Sequence, residues 1–352
     1  MEGSWDRVRR VLAGEKPDRA PLFDLLPSDV VLQHFNGDQP VAIGDDRAGA
    51  KAIAAALDGS RSARLSPSEE REEHLEDGRT HRVLRWTAWQ EKRHYASSED
   101  YRAAKQRQLQ ESAHLAADRI DTARDAGYQR QLDVLSWFGG DLYYLLSPPH
   151  QSLMGIWTEV GLEPFSYYFY DCGDVIVGQL EWNTEYACRW IEGLPPDTPF
   201  EAAFLGDDIA FKGGPMVRLD WLDRHYFPCL ARVCGALHAK GLKAMFHSDG
   251  NLNPIMDGLV GAGIDLLNPI EICAGMDLAD LHRRYPDLIF AGGIDVSHLL
   301  PFGTPQQVRD AVIKAIEDTE GRILVGSSTE VFDIVPLENF LAMRETAMDY
   351  RY

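Results

Sequence analysis

The chain has 352 residues, 45% of them hydrophobic, enough to bury a full core, and its 35 basic and 55 acidic side chains give a formal net charge of -20. That excess of negative charge excludes a phosphate backbone or an anionic membrane surface as the natural partner, because both require cationic surface. The charged start Met1–Asp6 lacks the apolar core of a signal peptide, and the longest uncharged stretch, Leu142 to Thr158, is too short to span a bilayer and is broken by Pro148-Pro149.

In chain order, Ala20 to Asp24 reads as a first strand, followed by a large insertion over roughly residues 60–128. Within it, the charge-dense Ser66 to Asp77 is a surface excursion. The Val-, Trp-, Thr- and Tyr-rich Thr80 to Tyr95, entered through Asp77-Gly78, predicts a β-ribbon. Ser98, with Glu99 and Asp100 behind it, starts a long helix reaching roughly Ala126. From Gln131 onward short apolar runs alternate with longer amphipathic segments, the pattern of a parallel sheet with helical crossovers. The runs are Leu132–Phe138, Phe200–Leu205, Lys243–Phe246, Ile264–Ile270, Leu288–Ala291 and Ile323–Gly326. Helices are expected at Asp174–Gly193, Asp220–Lys240, Asn253–Ala262, Asp277–Tyr285, Thr304–Asp318 and Pro336–Met348. With Ala20–Asp24 this makes seven strands, and an eighth is placed between Gly139 and Pro199. The expectation is a single-domain TIM (β/α)8 barrel with an N-terminal extension and a β-ribbon insertion. A doubly wound open sheet is the alternative, disfavoured because no glycine-rich phosphate loop follows the first strand.

In a barrel, reactive groups come from the C-terminal ends of the strands and the loops after them, and here those ends are polar. The candidates for catalysis are Asp207 and Asp208 after Phe200–Leu205, and His247 and Asp249 after Lys243–Phe246. Lys212, Asn268, Asp295 and Ser328, beyond the same or later strands, are candidates for holding substrate. Each has a plainer reading, as a helix cap, a turn former or a buried histidine. Gly292 and Gly293 are expected where a backbone approaches another element closely. His247, Glu271 and Cys273 are zinc-capable residues at neighbouring strand ends, although no H-x-C or H-x-x-x-H pair accompanies them. The five cysteines form no C-x-x-C pair, which suits a reducing cytoplasm.

The strings Arg7 to Pro21 (RVRRVLAGEKPDRAP), Gly206-Asp207-Asp208-Ile209, Phe246 to Pro254 (FHSDGNLNP) and Asn268 to Asp277 (NPIEICAGMD) carry a resemblance. So do Ala291 to Asp295 (AGGID), Gly303-Thr304-Pro305 and Pro336-Leu337-Glu338-Asn339. Through them the chain resembles the uroporphyrinogen decarboxylase superfamily, which also contains corrinoid-linked methyltransferases. The resemblance implies a distorted TIM barrel with an N-terminal extension. The decarboxylases' arginine-rich element after the first strand is absent from Asp24 to Phe35 (DLLPSDVVLQHF), and no histidine stands in Ser327 to Glu330. Where the thiol-methylating members carry an H-x-C zinc motif, this chain has His247-Ser248-Asp249, with a carboxylate in the place of the thiolate. The resemblance therefore points to an enzyme that moves methyl groups between a small methylated substrate and a corrinoid carried by a partner protein, with zinc as the metal to be expected if one is held. Decarboxylation of a porphyrinogen or other carboxylate, and a non-catalytic small-molecule-binding barrel, are the alternatives. Relatives of this kind are often homodimers.

Overall fold

The computed structural model describes residues 2–61, 64–113 and 117–352. It is a mixed α/β protein with parallel sheets. Five strands, Ala202–Gly206, Lys243–His247, Leu266–Asn268, Ile289–Ile294 and Ile323–Ser327, pair in chain order and all in parallel. Two more, Gly59–Arg61 and Tyr143–Leu145, pair in parallel with each other. Single parallel bridges then join Leu22 to Val325, Phe23 to Gly59 and Leu146 to Ala203. Pairing thus runs through eight segments in sequence order and returns from the last to the first.

Alternation along these strands divides their side chains between two cores. Phe23, Tyr143, Leu145, Ala202, Phe204, Met245, Leu266, Ile289, Ala291 and Leu324 form one cluster, closed by Val8, Val11 and Leu12 of the helix Ser4–Leu12. Their neighbours Ala203, Leu205, Ala244, Phe246, Leu267, Phe290, Ile323 and Val325 belong to the larger cluster, which contains the apolar faces of the crossover helices. The terminal helix is fastened by charge as well as packing. Arg7, only 4% exposed, bonds Asp18 and Asp58, and Arg19 also bonds Asp58. Asp58 accepts in turn from the Leu22 amide, so the first two parallel segments are tied to the helix that covers them.

The crossover helices fall where the sequence places them: Gly173–Glu192, Phe227–Ala239, Met256–Gly261, Leu278–Arg284, Pro305–Asp318 and Leu337–Asp349. Thr304 and Gln307 form a reciprocal capping box at Pro305–Asp318. The ribbon is three-stranded and antiparallel, Arg71–His74, Thr80–Val83 and Ala88–Gln90, so its first strand lies inside the stretch read as a bare excursion.

Two expectations are corrected. Leu132–Phe138 is not a strand; it is the end of the helix Ala117–Trp137, with Leu132, Val134 and Leu135 half-buried against the core. The second strand is Gly59–Arg61, which was counted as part of the insertion. The single helix expected from Ser98 is seen as Ser98–Ala113 and Ala117–Trp137, and the join lies outside the described residues. The strand placed between Gly139 and Pro199 is Tyr143–Leu145. Among the described residues no helix is long and apolar enough to cross a membrane.

Candidate functional site

The C-terminal ends of the parallel strands converge on a cavity of about 710 Å³. Its floor carries Asp208, His247 and Asp249, and its sides carry Arg61, Phe204, His150, Met154 and Glu330. The ribbon turn supplies Trp86 and Thr87, and Phe332 and Arg64 also line the cavity.

His247 ends its strand 8% exposed. Its Nδ1 lies 2.6 Å from Asn268 Oδ1, while Asn268 Nδ2 donates to the Ala291 carbonyl at 3.0 Å. Because the amide group of Asn268 is committed to Ala291, its oxygen must accept, and the ring hydrogen of His247 therefore sits on Nδ1. Nε2 is left with its lone pair 3.8 Å from Asp208 Oδ1. Burial, with the Arg61 cation nearby, pushes the His247 pKa down to about 4, so the ring is neutral at physiological pH.

The loop after this strand is held tightly. Asp208 Oδ1 accepts from the Asp249 amide at 3.0 Å, and Ser248 Oγ accepts from the Ile209 amide at 3.1 Å. Gly250 has φ +96°, and a Cβ there would fall 2.6 Å from the backbone of Ala210 and Phe211. Only glycine lets the turn close against the 210–215 hairpin. Asp249 has one oxygen near Thr329 Oγ1 at 3.5 Å, and the other, Oδ1, is buried with no hydrogen-bond partner. Burial, reinforced by Asp208 and Glu271, raises its pKa to about 7.

Ligand atoms of Asp208, His247 and Asp249 all lie within 4.8 Å of one another. One neutral imidazole nitrogen and two carboxylates make a harder donor set than thiolate, suited to zinc or another divalent transition metal. A buried carboxylate oxygen without a partner is costly in a metal-free protein, and Asp249, a member of this cluster, carries one. The residues therefore fit a metal ion.

The other predicted residues divide. Asp207 is fully buried and turned away from the cavity. Its carboxylate accepts from the Leu153 and Met154 amides at 2.8 and 2.6 Å and from Tyr226 Oη at 2.7 Å. It anchors the N-terminus of the helix Leu153–Val160. A π-helical turn, Leu222–Tyr226, presents Tyr226 to it. Asp295 accepts from the Ser297, His298 and Leu299 amides and so shapes its own loop. Ser328 Oγ accepts from the Val296 amide, which ties the last two loops together. Lys212 lies on the hairpin outside the cavity lining, and Asn268 acts on His247 instead of reaching the cavity. Gly292 has φ +108° and presses on the Ser327 carbonyl, the close approach expected of it.

The trio His247, Glu271 and Cys273 is not assembled among the described residues. The Glu271 carboxylate is taken by the Gly250 amide at 2.7 Å, and Cys273 Sγ faces His298 Nδ1 at 3.3 Å.

Residues not predicted complete the cavity. Arg61 bonds Glu330 at 3.2 Å and lies 4.2 Å above the Phe204 ring. Burial lowers the Arg61 pKa and raises that of Glu330, and each charge offsets part of the other's cost. His150 donates to the Gly206 carbonyl or accepts nothing there, since a carbonyl can only accept; its Nε2 is 2.7 Å away and so carries a hydrogen. Glu330 stands in the polar string after the last strand and was visible in it. Arg61 had no signal, because its strand was not recognised.

Fold and site thus define a parallel α/β protein with a polar, metal-competent cavity at its strand ends. The chain is similar in structure to a methyltransferase from Methanosarcina mazei, with a TM-score of 0.67 and 15% sequence identity over 99% of each chain. At that identity the likeness establishes the fold alone. No family model and no curated protein matches the chain.

Proposed function

We propose that the chain is a metal-dependent methyltransferase of the uroporphyrinogen decarboxylase superfamily, working between a small methylated substrate and a corrinoid protein. On this reading residues 1–352 form one TIM-barrel domain with the ribbon and its following helices inserted between the second and third strands. The circuit of parallel pairing, the two alternating cores and the likeness to a methyltransferase over 99% of both chains support it. The observation that carries the functional part is the convergence of ligand atoms of His247, Asp208 and Asp249 at the cavity, with Asp249 holding one buried oxygen that has no hydrogen-bond partner.

The reaction moves a methyl group from an oxygen or nitrogen of the substrate to the reduced corrinoid, leaving the electron pair of the broken bond on the heteroatom. A divalent metal at Asp208, His247 and Asp249 would supply Lewis acidity to stabilise that charge. Asn268 fixes which histidine nitrogen faces the cavity, the role outer partners play around metal ligands. Asp207 sets the helix that carries Met154 into the wall. Arg61 and Arg64 offer a cationic side for an anionic part of the substrate, while Trp86, Phe204 and Phe332 exclude water from its apolar part. The wall sets two arginines against Asp208, Asp249 and Glu330, a poor match for a polycarboxylate porphyrinogen.

The test is metal content and methyl transfer in paired variants. Zinc- or cobalt-loaded wild type should methylate a corrinoid from a panel of O- and N-methyl compounds, and His247→Ala and Asp249→Asn should lose both metal and activity. Full activity in a His247→Ala, Asp208→Ala double variant would sink the proposal.

A further inference from the structure

A second group of ligand-type side chains lies outside the cavity, on the rim formed by the loops after the sixth and seventh parallel segments. Cys273 sits on the short turn Ile272–Ala274, and Asp295 and His298 lie between the strand Ile289–Ile294 and the helix Leu299–Phe302. Cys273 Sγ is 3.3 Å from His298 Nδ1, and His298 Nδ1 is 3.5 Å from Asp295 Oδ2. One ligand atom from each of the three lies within 4.8 Å of the others.

We propose that Cys273, His298 and Asp295 form a second zinc-type site, separate from the cavity and independent of the methyl-transfer reading. Nitrogen and sulfur ligands held about 2.0 and 2.3 Å from zinc at a tetrahedral angle stand about 3.5 Å apart, and nitrogen and oxygen ligands about 3.3 Å apart. The 3.3 Å between Cys273 Sγ and His298 Nδ1 lies close to the first of these edges, with an Asp295 oxygen within 4.8 Å of both. Asp295 is already oriented by three backbone amides, two on Oδ2 and one on Oδ1, and since a carboxylate has about four acceptor positions, the one left for the ion is on Oδ1. The mixed sulfur, nitrogen and oxygen set selects a borderline metal such as zinc over magnesium or calcium. On binding, the Cys273 thiol gives its proton to solvent and the thiolate becomes the ligand. Solvent supplies the fourth position, since His298 is 69% exposed.

The consequence for the cavity is mechanical. Cys273 is two residues from Glu271, whose carboxylate holds the Gly250 amide at 2.7 Å. An ion joining the two loops pins Glu271, and with it the turn that carries Asp249.

Cobalt(II) titration of the full-length protein tests this, because a cobalt–thiolate bond gives a near-ultraviolet charge-transfer band that nitrogen and oxygen ligands do not. Wild type, in which the cavity cluster also competes for cobalt, should show the band by two equivalents. Cys273→Ser should abolish it, and His298→Ala should weaken the affinity of the banded site by at least about tenfold, the scale seen even for outer-shell losses. His247→Ala should keep the band, which separates this site from the cavity cluster. A wild-type titration without the band, a band surviving in Cys273→Ser, or a band lost in His247→Ala would each overturn the proposal.

Discussion

Asn268→Leu is the most informative single substitution. Asn268 is 3% exposed and makes two buried hydrogen bonds, accepting from His247 Nδ1 at 2.6 Å and donating to Ala291 at 3.0 Å. Leucine has the same branched heavy-atom outline, with bulkier methyl groups, but offers neither, so a ring N–H and a carbonyl oxygen are both left buried and unsatisfied. Each such group costs about 1–3 kcal/mol, and the added apolar contact returns only part of it, giving a net loss of about 3 kcal/mol. Urea unfolding should show this as a lower midpoint at unchanged slope. The chemical effect is separate: with no acceptor at Nδ1, the His247 hydrogen is free to move to Nε2 and mask the lone pair. Metal affinity of the cavity cluster should fall by about 10–100-fold, and nitrogen chemical shifts of His247 should report the changed tautomer. A variant within about 0.5 kcal/mol of wild type, with the same tautomer and the same metal affinity, would refute the orientation argument.

Other outcomes follow from the same geometry. Asp24 is fully buried and its pKa is raised to about 7, chiefly by burial and despite bonds from Ser327 and Leu25. The unfolded chain releases this proton near its ordinary value while the folded one keeps it. Stability should therefore fall as pH rises from about 4 to about 7 and then level off, and Asp24→Asn should show a shallower fall in pH-dependent unfolding. Asp207→Ala leaves two helix amides and Tyr226 Oη without their acceptor and should cost about 3–5 kcal/mol in chemical denaturation. Gly250→Ala, which forces a Cβ against the 210–215 hairpin at positive φ, should displace Asp249 and weaken cavity metal binding in titrations.

The sequence carried the latter part of the fold in its punctuation. From Phe200 onward each strand is a compact apolar run and each helix between strands has the expected amphipathic pattern, so both kinds of element fall within a few residues of expectation. The first third was harder for a physical reason. Gly59-Ser60-Arg61 is a strand of three residues with no apolar side chain, held by pairing to Tyr143–Leu145 and by the Phe23 bridge, neither of which local pattern can reveal. Leu132–Phe138 misled in the opposite sense, since a short apolar run does not distinguish a strand from the buried face of a helix end. In the site, His247, Asp208 and Asp249 could be found because each ends or directly follows a strand. What sequence could not show was direction: Asp207 and Asp208 are neighbours, yet one carboxylate turns to a helix N-terminus and the other to the cavity. The metal trio was likewise misdrawn, because Cys273 and Glu271 find nearer partners in His298 and Gly250.

The central claim is that a metal held by Asp208, His247 and Asp249 is needed for methyl transfer. The most direct measurement follows methylcobalamin formation by absorbance, with chemically reduced cobalamin as acceptor and a panel of small O- and N-methyl compounds as donors. Protein stripped of metal and protein reloaded with zinc are compared. Transfer from at least one donor is expected with reloaded wild type, and a loss to background in stripped protein and in reloaded Asp249→Asn. Transfer that is equally fast without metal, or no transfer from any donor by reloaded protein with its cavity metal in place, would contradict the claim.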